Sequence, residues 1–164
     1  MTTNPHFVAD PNAIVPVPGG KEWKIYPRGL NIVWGNDRRY WRIEEQKTGM
    51  AELLQVSWLE VTGKVPLRGG KKYRVGFKIS MKPDAFGWAD LHVVILAKVG
   101  TNGRLVPKKE ALNYSKVEPF DFPQDGVEVE VPENGDDVHF GMYEVWSGKW
   151  KGGLLIHHAF VREA

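Results

Sequence analysis

The chain has 164 residues, 26% charged and 42% hydrophobic, with a formal net charge of +2 at pH 7. That length suits one domain with a sizeable core, and so small a net charge does not by itself imply a nucleic-acid partner. The absence of cysteine excludes a disulfide framework and thiolate catalysis, and it fits a reducing compartment.

Residues 1–29 carry Pro5, Pro11, Pro16, Pro18 and Pro27, with Gly19-Gly20 between the last two. Proline removes backbone donors and fixes φ, so this segment is expected as an extended or loosely ordered arm, not a helix. Val15, Val17, Trp23, Ile25 and Tyr26 are available to lay it along the body. Met1-Thr-Thr-Asn-Pro-His6 shows neither the basic nor the apolar part of a secretory leader, and no apolar run approaches membrane-spanning length. The expected location is cytoplasmic.

Leu30, Ile32 and Trp34 share one face at period two and predict a first strand, which breaks at Gly35-Asn36-Asp37. Glu52–Thr62 predicts a long strand, and Arg68–Lys72 a turn. The clearest alternation follows: Tyr73, Val75, Phe77, Ile79 and Met81 on one face, Arg74, Gly76, Lys78 and Ser80 on the other. Pro83–Gly87 is expected to end that strand. Trp88–Val99 predicts another, apolar on both faces and therefore internal. Gly100–Gly103 has hairpin chemistry. Residues 104–124, with Pro107, Pro119 and Pro123, predict a long irregular connection. Val127, Val129 and Val131 mark a short strand, and Asp137–Trp146 and Leu154–Arg162 mark the last two. No helical period of useful length and no internal repeat appears. So many strands, with turn signals every 8–12 residues, predict an all-β fold: an antiparallel two-sheet β-sandwich or jelly roll.

Two stretches carry chemistry. Trp34-Gly-Asn-Asp-Arg-Arg-Tyr40-Trp41 gathers three aromatic rings, two guanidinium groups and a carboxylate around one tight turn. A polar ligand with an apolar face suits that mixture, and so does a strand end whose Trp34 and Trp41 are core plugs. On the late strand the apolar phase runs Val138, Phe140, Met142, Glu144, Trp146. A carboxylate on a greasy face needs a partner or a task, so Glu144 is either ion-paired with a Lys or Arg or reserved for a ligand. His157 and His158 are adjacent on a strand and point to opposite faces, so they cannot chelate one ion. With five histidines and no cysteine, neither a metal site nor a cofactor is expected. No phosphate-binding glycine loop and no nucleophile elbow is present.

Three motifs in register resemble the plant phloem lectins, the phloem protein 2 family with its Nictaba-like domains. They are Leu30-Asn-Ile-Val-Trp34 with Tyr40-Trp41, Met50–Lys64 with Trp58 at its centre, and Tyr143-Glu144-Val-Trp-Ser-Gly-Lys-Trp150-Lys-Gly-Gly-Leu-Leu155. The resemblance covers residues 28–164 as a domain and leaves residues 1–27 outside it as an arm. It implies a β-sandwich without catalysis that binds N-acetylglucosamine oligomers and the chitobiose core of N-glycans. It also implies that Trp34, Trp41 and Glu144 touch sugar, with Asp137 standing where relatives carry Glu. Asn36, Tyr40 and Trp150 complete the expected carbohydrate-binding set, because rings cover the apolar face of a pyranose and polar groups meet its hydroxyls. Trp34 and Glu144 can serve one ligand only if their strand ends lie at the same end of the sandwich. A homodimer is expected, since paired weak sites gain avidity. The phloem sap is the expected setting, with the nucleus as the alternative. Two rival functions stand beside the lectin: an RNA- or protein-interaction carrier of the phloem, and a glycosidase using two of the plentiful carboxylates.

Overall fold

The computed structural model describes residues 4–164. In chain order its strands are β1 (Ile14–Pro16), β2 (Glu22–Ile25), β3 (Asn31–Ile32), β4 (Trp41–Ile43), β5 (Ala51–Leu53), β6 (Leu59–Leu67), β7 (Lys71–Phe86), β8 (His92–Val99), β9 (Val106–Ala111), β10 (Phe120–Val131), β11 (Asp136–Glu144) and β12 (Gly152–Glu163). The described helical structure is two single 3-10 turns, Pro11–Ala13 and Pro27–Gly29. All strand pairing is antiparallel, in two sheets.

One sheet has the order β3-β6-β11-β8-β9. The other runs from β10 through β7 to β12, and the far edge of β12 is shared by two hairpins. β2, backed by β1, pairs with Ala159–Arg162, and β5, backed by β4, pairs with Leu155 and Ile156. The alternating residues of β7 explain the core between the sheets. Tyr73, Val75, Phe77, Ile79 and Met81 are all buried, opposite Val138, Phe140 and Met142 of β11 and Val93, Ile95 and Ala97 of β8. Phe77 and Phe140 meet edge to face with ring centroids 5.8 Å apart. Each of the Val, Ile, Phe and Met side chains among them contributes about 1.5–3 kcal/mol relative to exposure, so this face holds the two sheets together.

The all-β sandwich is as expected, and β8 is indeed internal, lying between β11 and β9. Several boundaries differ. The stretch expected as one strand over Glu52–Thr62 is two, β5 in one sheet and β6 in the other. Between them the chain crosses the sandwich at a corner pinned by Leu54 N–H to the Tyr40 carbonyl (2.8 Å) and by reciprocal bonds between Val56 and Lys151 (3.0 Å each). β7 does not end at Pro83 but continues to Phe86, because an irregularity opposite Gly152–Leu154 accommodates the residue that cannot donate. The irregular connection expected over 104–124 contains β9 and the start of β10. β9 tolerates Pro107 because it is an edge strand. β8 begins at His92, not Trp88, which is buried before it with its indole donating to the Gly152 carbonyl at 2.9 Å. The proline-rich N-terminal segment lies along the body, as Trp23 and Ile25 allow, and supplies β1 and β2 to the larger sheet. The first three residues of that segment lie outside the described residues.

Candidate functional site

β3 is short because its ladder ends one residue after Ile32, where the Val33 N–H donates to the Glu60 carbonyl of β6 at 3.1 Å. The chain then reverses through Trp34, whose φ of +65° is unusual for a residue with a side chain. Such a conformation costs on the order of 1–3 kcal/mol and persists only where the surroundings enforce it. The enforcement is visible. Gly35 N–H donates to the Ile32 carbonyl at 2.9 Å and Asp37 N–H to the Trp34 carbonyl at 3.0 Å. Gly35 must be glycine, since a Cβ there would meet the Phe7 Cβ at 2.7 Å and the Ile32 carbonyl at 2.8 Å. The turn turns the Trp34 indole outward, 37% exposed.

Tyr40 meets Trp34 edge to face at 5.8 Å, and Trp150, from the loop between β11 and β12, lies tilted against Tyr40 at 6.1 Å. Arg39 lies over the Tyr40 ring at 5.0 Å and is clamped by Asp37, with bonds of 3.0 and 2.7 Å. Hydrogen bonding by Arg39 holds the Asp37 carboxyl below its ordinary range. From the sheet-crossing corner come Val56, Ser57 and Trp58, and the Trp58 indole donates to Glu60 Oε1 at 3.0 Å. These side chains enclose an open depression of about 180 Å³ lined by Trp34, Tyr40, Val56, Ser57, Trp58 and Trp150. Trp58 and Trp150 are 46% and 52% exposed. A larger hollow of about 550 Å³ shares the same turn, with Arg28, Arg38 and Arg42 in its wall. Two of these cations already have partners: Arg28 donates to the Glu44 carbonyl at 3.0 Å, and Arg42 lies 3.9 Å from Glu52.

Glu144 is at this end of the sandwich too, since β11 pairs Glu144 with Leu59 and Tyr143 with Glu60. Its carboxylate is not offered to a ligand. Glu144 is buried, and its Oε1 accepts from Lys151 Nζ and from the Ser147 hydroxyl, both at 2.7 Å. Lys151 is itself fully buried and also donates to the carbonyls of Ser57 (2.9 Å) and Lys149 (3.1 Å). Burial pushes the Glu144 carboxyl up, but the hydrogen bonds from Lys151 and Ser147 and the Lys151 charge outweigh it, so the group is held below its ordinary value. The pair joins the Trp150 loop to the corner that carries Trp58.

Of the seven expected sugar-binding residues, Trp34, Tyr40 and Trp150 converge on the aromatic depression. The other four are placed elsewhere or are engaged within the protein. Trp41 is 2% exposed and packs in the core, and its indole N–H finds no hydrogen-bond partner among the described residues. Asn36 spends its amide on the backbone, donating to the Asn4 and His6 carbonyls at 3.0 Å each. Glu144 braces the site from below. Asp137 sits at the opposite end of β11, seven residues from Glu144, or about 24 Å at the rise of an antiparallel strand. Trp58 and Lys151 were not among the expected sugar-binding residues. Trp58 was legible: it precedes a strand in which Leu59, Val61 and Val65 are apolar, and it falls on the wet phase with Glu60, Thr62 and Lys64, where an indole is out of place. No comparable signal marks Lys151.

The family model for phloem protein 2 matches residues 20–163. The chain belongs to the phloem protein 2 family. Among its relatives in that family, PHLOEM PROTEIN 2-LIKE A9 of Arabidopsis thaliana is 45% identical over 161 residues, covering 87% of this chain and 88% of the relative. PHLOEM PROTEIN 2-LIKE A1 of the same plant is 30% identical over 149 residues, covering 84% and 60%. A protein of Luffa acutangula named as a lectin is 36% identical over 72 residues, covering 39% of this chain and 34% of that one. Among solved structures, the GH26-CBM35 β-(1,4)-mannanase of Podospora anserina superposes on 88% of this chain and 28% of its own, with a TM-score of 0.54 at 8% identity. At that identity the likeness concerns the fold alone. For this phloem protein 2 chain, no helix among the described residues is long and apolar enough to cross a membrane.

Proposed function

We propose that this chain is a non-catalytic lectin whose aromatic depression takes N-acetylglucosamine oligomers, including the chitobiose core of N-glycans. One observation carries the reading: Trp34, Tyr40, Trp58 and Trp150 converge on one open depression, and its three indoles are 37–52% exposed instead of packed inside. Half-exposed indoles leave part of their burial energy unrealised, and a stacking ligand covers that surface. The axial C–H groups of a pyranose cover such rings. The acetyl methyl of the sugar suits the floor around Val56, and Ser57 offers a hydroxyl to its amide or ring substituents. The phloem protein 2 match and the lectin named among the relatives support the same class of ligand. The rings hold the ligand, and the Glu144–Lys151 pair holds the rings. The protein acts in the cytoplasm of phloem cells or their sap, as a homodimer presenting two such sites.

Calorimetry with chitotriose on the parent, Trp34→Ala and Trp150→Ala, beside thermal melts, tests this. Each substitution removes stacking worth on the order of 1–3 kcal/mol, by analogy with aromatic stacking on bases. Trp150→Ala leaves the melt almost unmoved, because half of its surface is already in water. Two variants that bind like the parent while folded place the groove elsewhere. Affinity for a neutral sugar holds steady as salt rises. A ligand whose binding falls steeply with salt, such as single-stranded RNA, favours the carrier reading instead.

A further inference from the structure

Residues 4–7 cross over the turn that carries Trp34, and they lie ahead of residue 20, where the family match begins. Their contacts are dense for so short a segment. Phe7 and Ile32 exchange both backbone bonds, at 2.9 and 3.0 Å. Asn36 N–H donates to the Pro5 carbonyl at 3.0 Å, and the Asn36 side chain donates to the Asn4 and His6 carbonyls. His6 itself touches Trp34 twice. Its ring packs edge to face on the indole at 5.1 Å, and its Nδ1 accepts the Trp34 backbone N–H at 2.9 Å.

We infer that His6 is a positioning residue for the sugar site, and that it acts as a proton-sensitive latch on Trp34. The inference rests on the reading of the aromatic depression as a glycan site. A backbone N–H can only donate, so His6 must present Nδ1 without a proton. An imidazolium has N–H on both nitrogens, and protonating His6 therefore sets donor against donor at 2.9 Å. The φ of +65° at Trp34 is tolerated only under constraint, and this bond is the one that grips the residue's own amide. Losing it lets the turn relax and takes the indole away from Tyr40 and Trp150. Glycan affinity then falls when the imidazole gains its charge.

Other ionisable groups stand around the latch. Asp37, Arg38, Arg39 and Tyr40 follow Trp34 on the turn, Arg28 lies over the Phe7 ring, Asp10 is tied to Arg28 through the backbone, and Glu60 is on β6 under Trp58. Asp37 and Arg39 neutralise each other at 2.7 Å. His6 is the imidazole that touches the Trp34 amide, and substitution separates its contribution from theirs.

The test uses the full chain and chitotriose, with affinities measured at steps from about pH 8 to pH 5. His6→Asn places an amide oxygen near the position of Nδ1 and keeps an acceptor that does not titrate in this range. His6→Ala removes it. At neutral pH, His6→Ala weakens binding by about five- to tenfold, the equivalent of roughly one net hydrogen bond, while His6→Asn stays within about threefold of the parent. On acidification the parent loses affinity and His6→Asn does not. In the free protein, the NMR shift of the Trp34 backbone amide follows the imidazole titration in the parent and is flat in His6→Asn. Equal affinities for parent and His6→Ala overturn the latch while leaving the lectin reading intact, as does the same pH profile in parent and His6→Asn. A parent that binds no chitotriose at any pH overturns both, and the amide titration then shows whether the hydrogen bond alone responds to protons.

Discussion

Replacing Lys151 with methionine probes how the aromatic site is braced. The Lys151 side chain is 0% exposed and that of Glu144 4%, with 2.7 Å between Nζ and Oε1. All three ammonium donors are used, on Glu144, the Ser57 carbonyl and the Lys149 carbonyl. Methionine keeps most of the stem volume, so little cavity forms and the loss is electrostatic. It strands a buried carboxylate with Ser147 as its remaining side-chain donor, a situation that costs about 3–5 kcal/mol. For a chain of this size each kcal/mol moves the melting temperature by roughly 2–4 °C, so Lys151→Met lowers it by about 6–20 °C. Glu144→Leu combined with Lys151→Met recovers much of that loss, because it removes the orphan charge as well. The pH dependence has a defined sign. The folded-state pKa of Glu144 is depressed in the parent, so its contribution is fully present above the unfolded value of about 4.5 and is lost as pH falls through the folded value. The gap between parent and Lys151→Met therefore narrows in acid. Thermal melts of the three proteins at neutral and acidic pH give the answer. A drop under about 2 °C for the single variant, or a double variant no better than the single, refutes the claim that a desolvated pair holds this corner.

Two further outcomes follow from where residues lie. Asp137→Asn leaves chitotriose affinity unchanged within error in calorimetry, because the residue is at the far end of β11, about seven strand steps from Glu144, which braces the aromatic site; a loss comparable to that of Trp34→Ala refutes the placement. Light scattering at micromolar protein gives about twice the chain mass of 18.6 kDa, and a monomer mass refutes the dimer.

Period-two patterning was enough for fold class. Tyr73 to Met81 alternate so regularly that one face had to be buried, and the doubly apolar Trp88–Val99 stretch had to lie inside a sheet. The same logic put Glu144 on the buried phase of β11, and two explanations for it followed, an internal partner or a ligand. Alternation is a local property, so it could say that Glu144 faces inward but not what meets it there. Lys151 is seven residues further on, past a loop, and only the pairing of Val56 with Lys151 brings its ammonium under the corner. The aromatic site divides in the same way. That Trp34 and Tyr40 flank a turn is legible from Gly35-Asn36-Asp37, and an indole at Trp58 on a polar phase hints at exposure. Whether Trp34 or Trp41 faces water is decided by the turn's backbone: a positive φ swings Trp34 out, and β4 pairing with β5 drives Trp41 into the core. Trp150 joins them only through the order of strands in space, since β11 and β12 lie in different sheets and their loop must bridge the end of the sandwich. The chain's own chemistry thus determined a two-sheet body and a stock of rings, while long-range pairing decided which rings are free, because burial depends on what the rest of the chain places against a side chain.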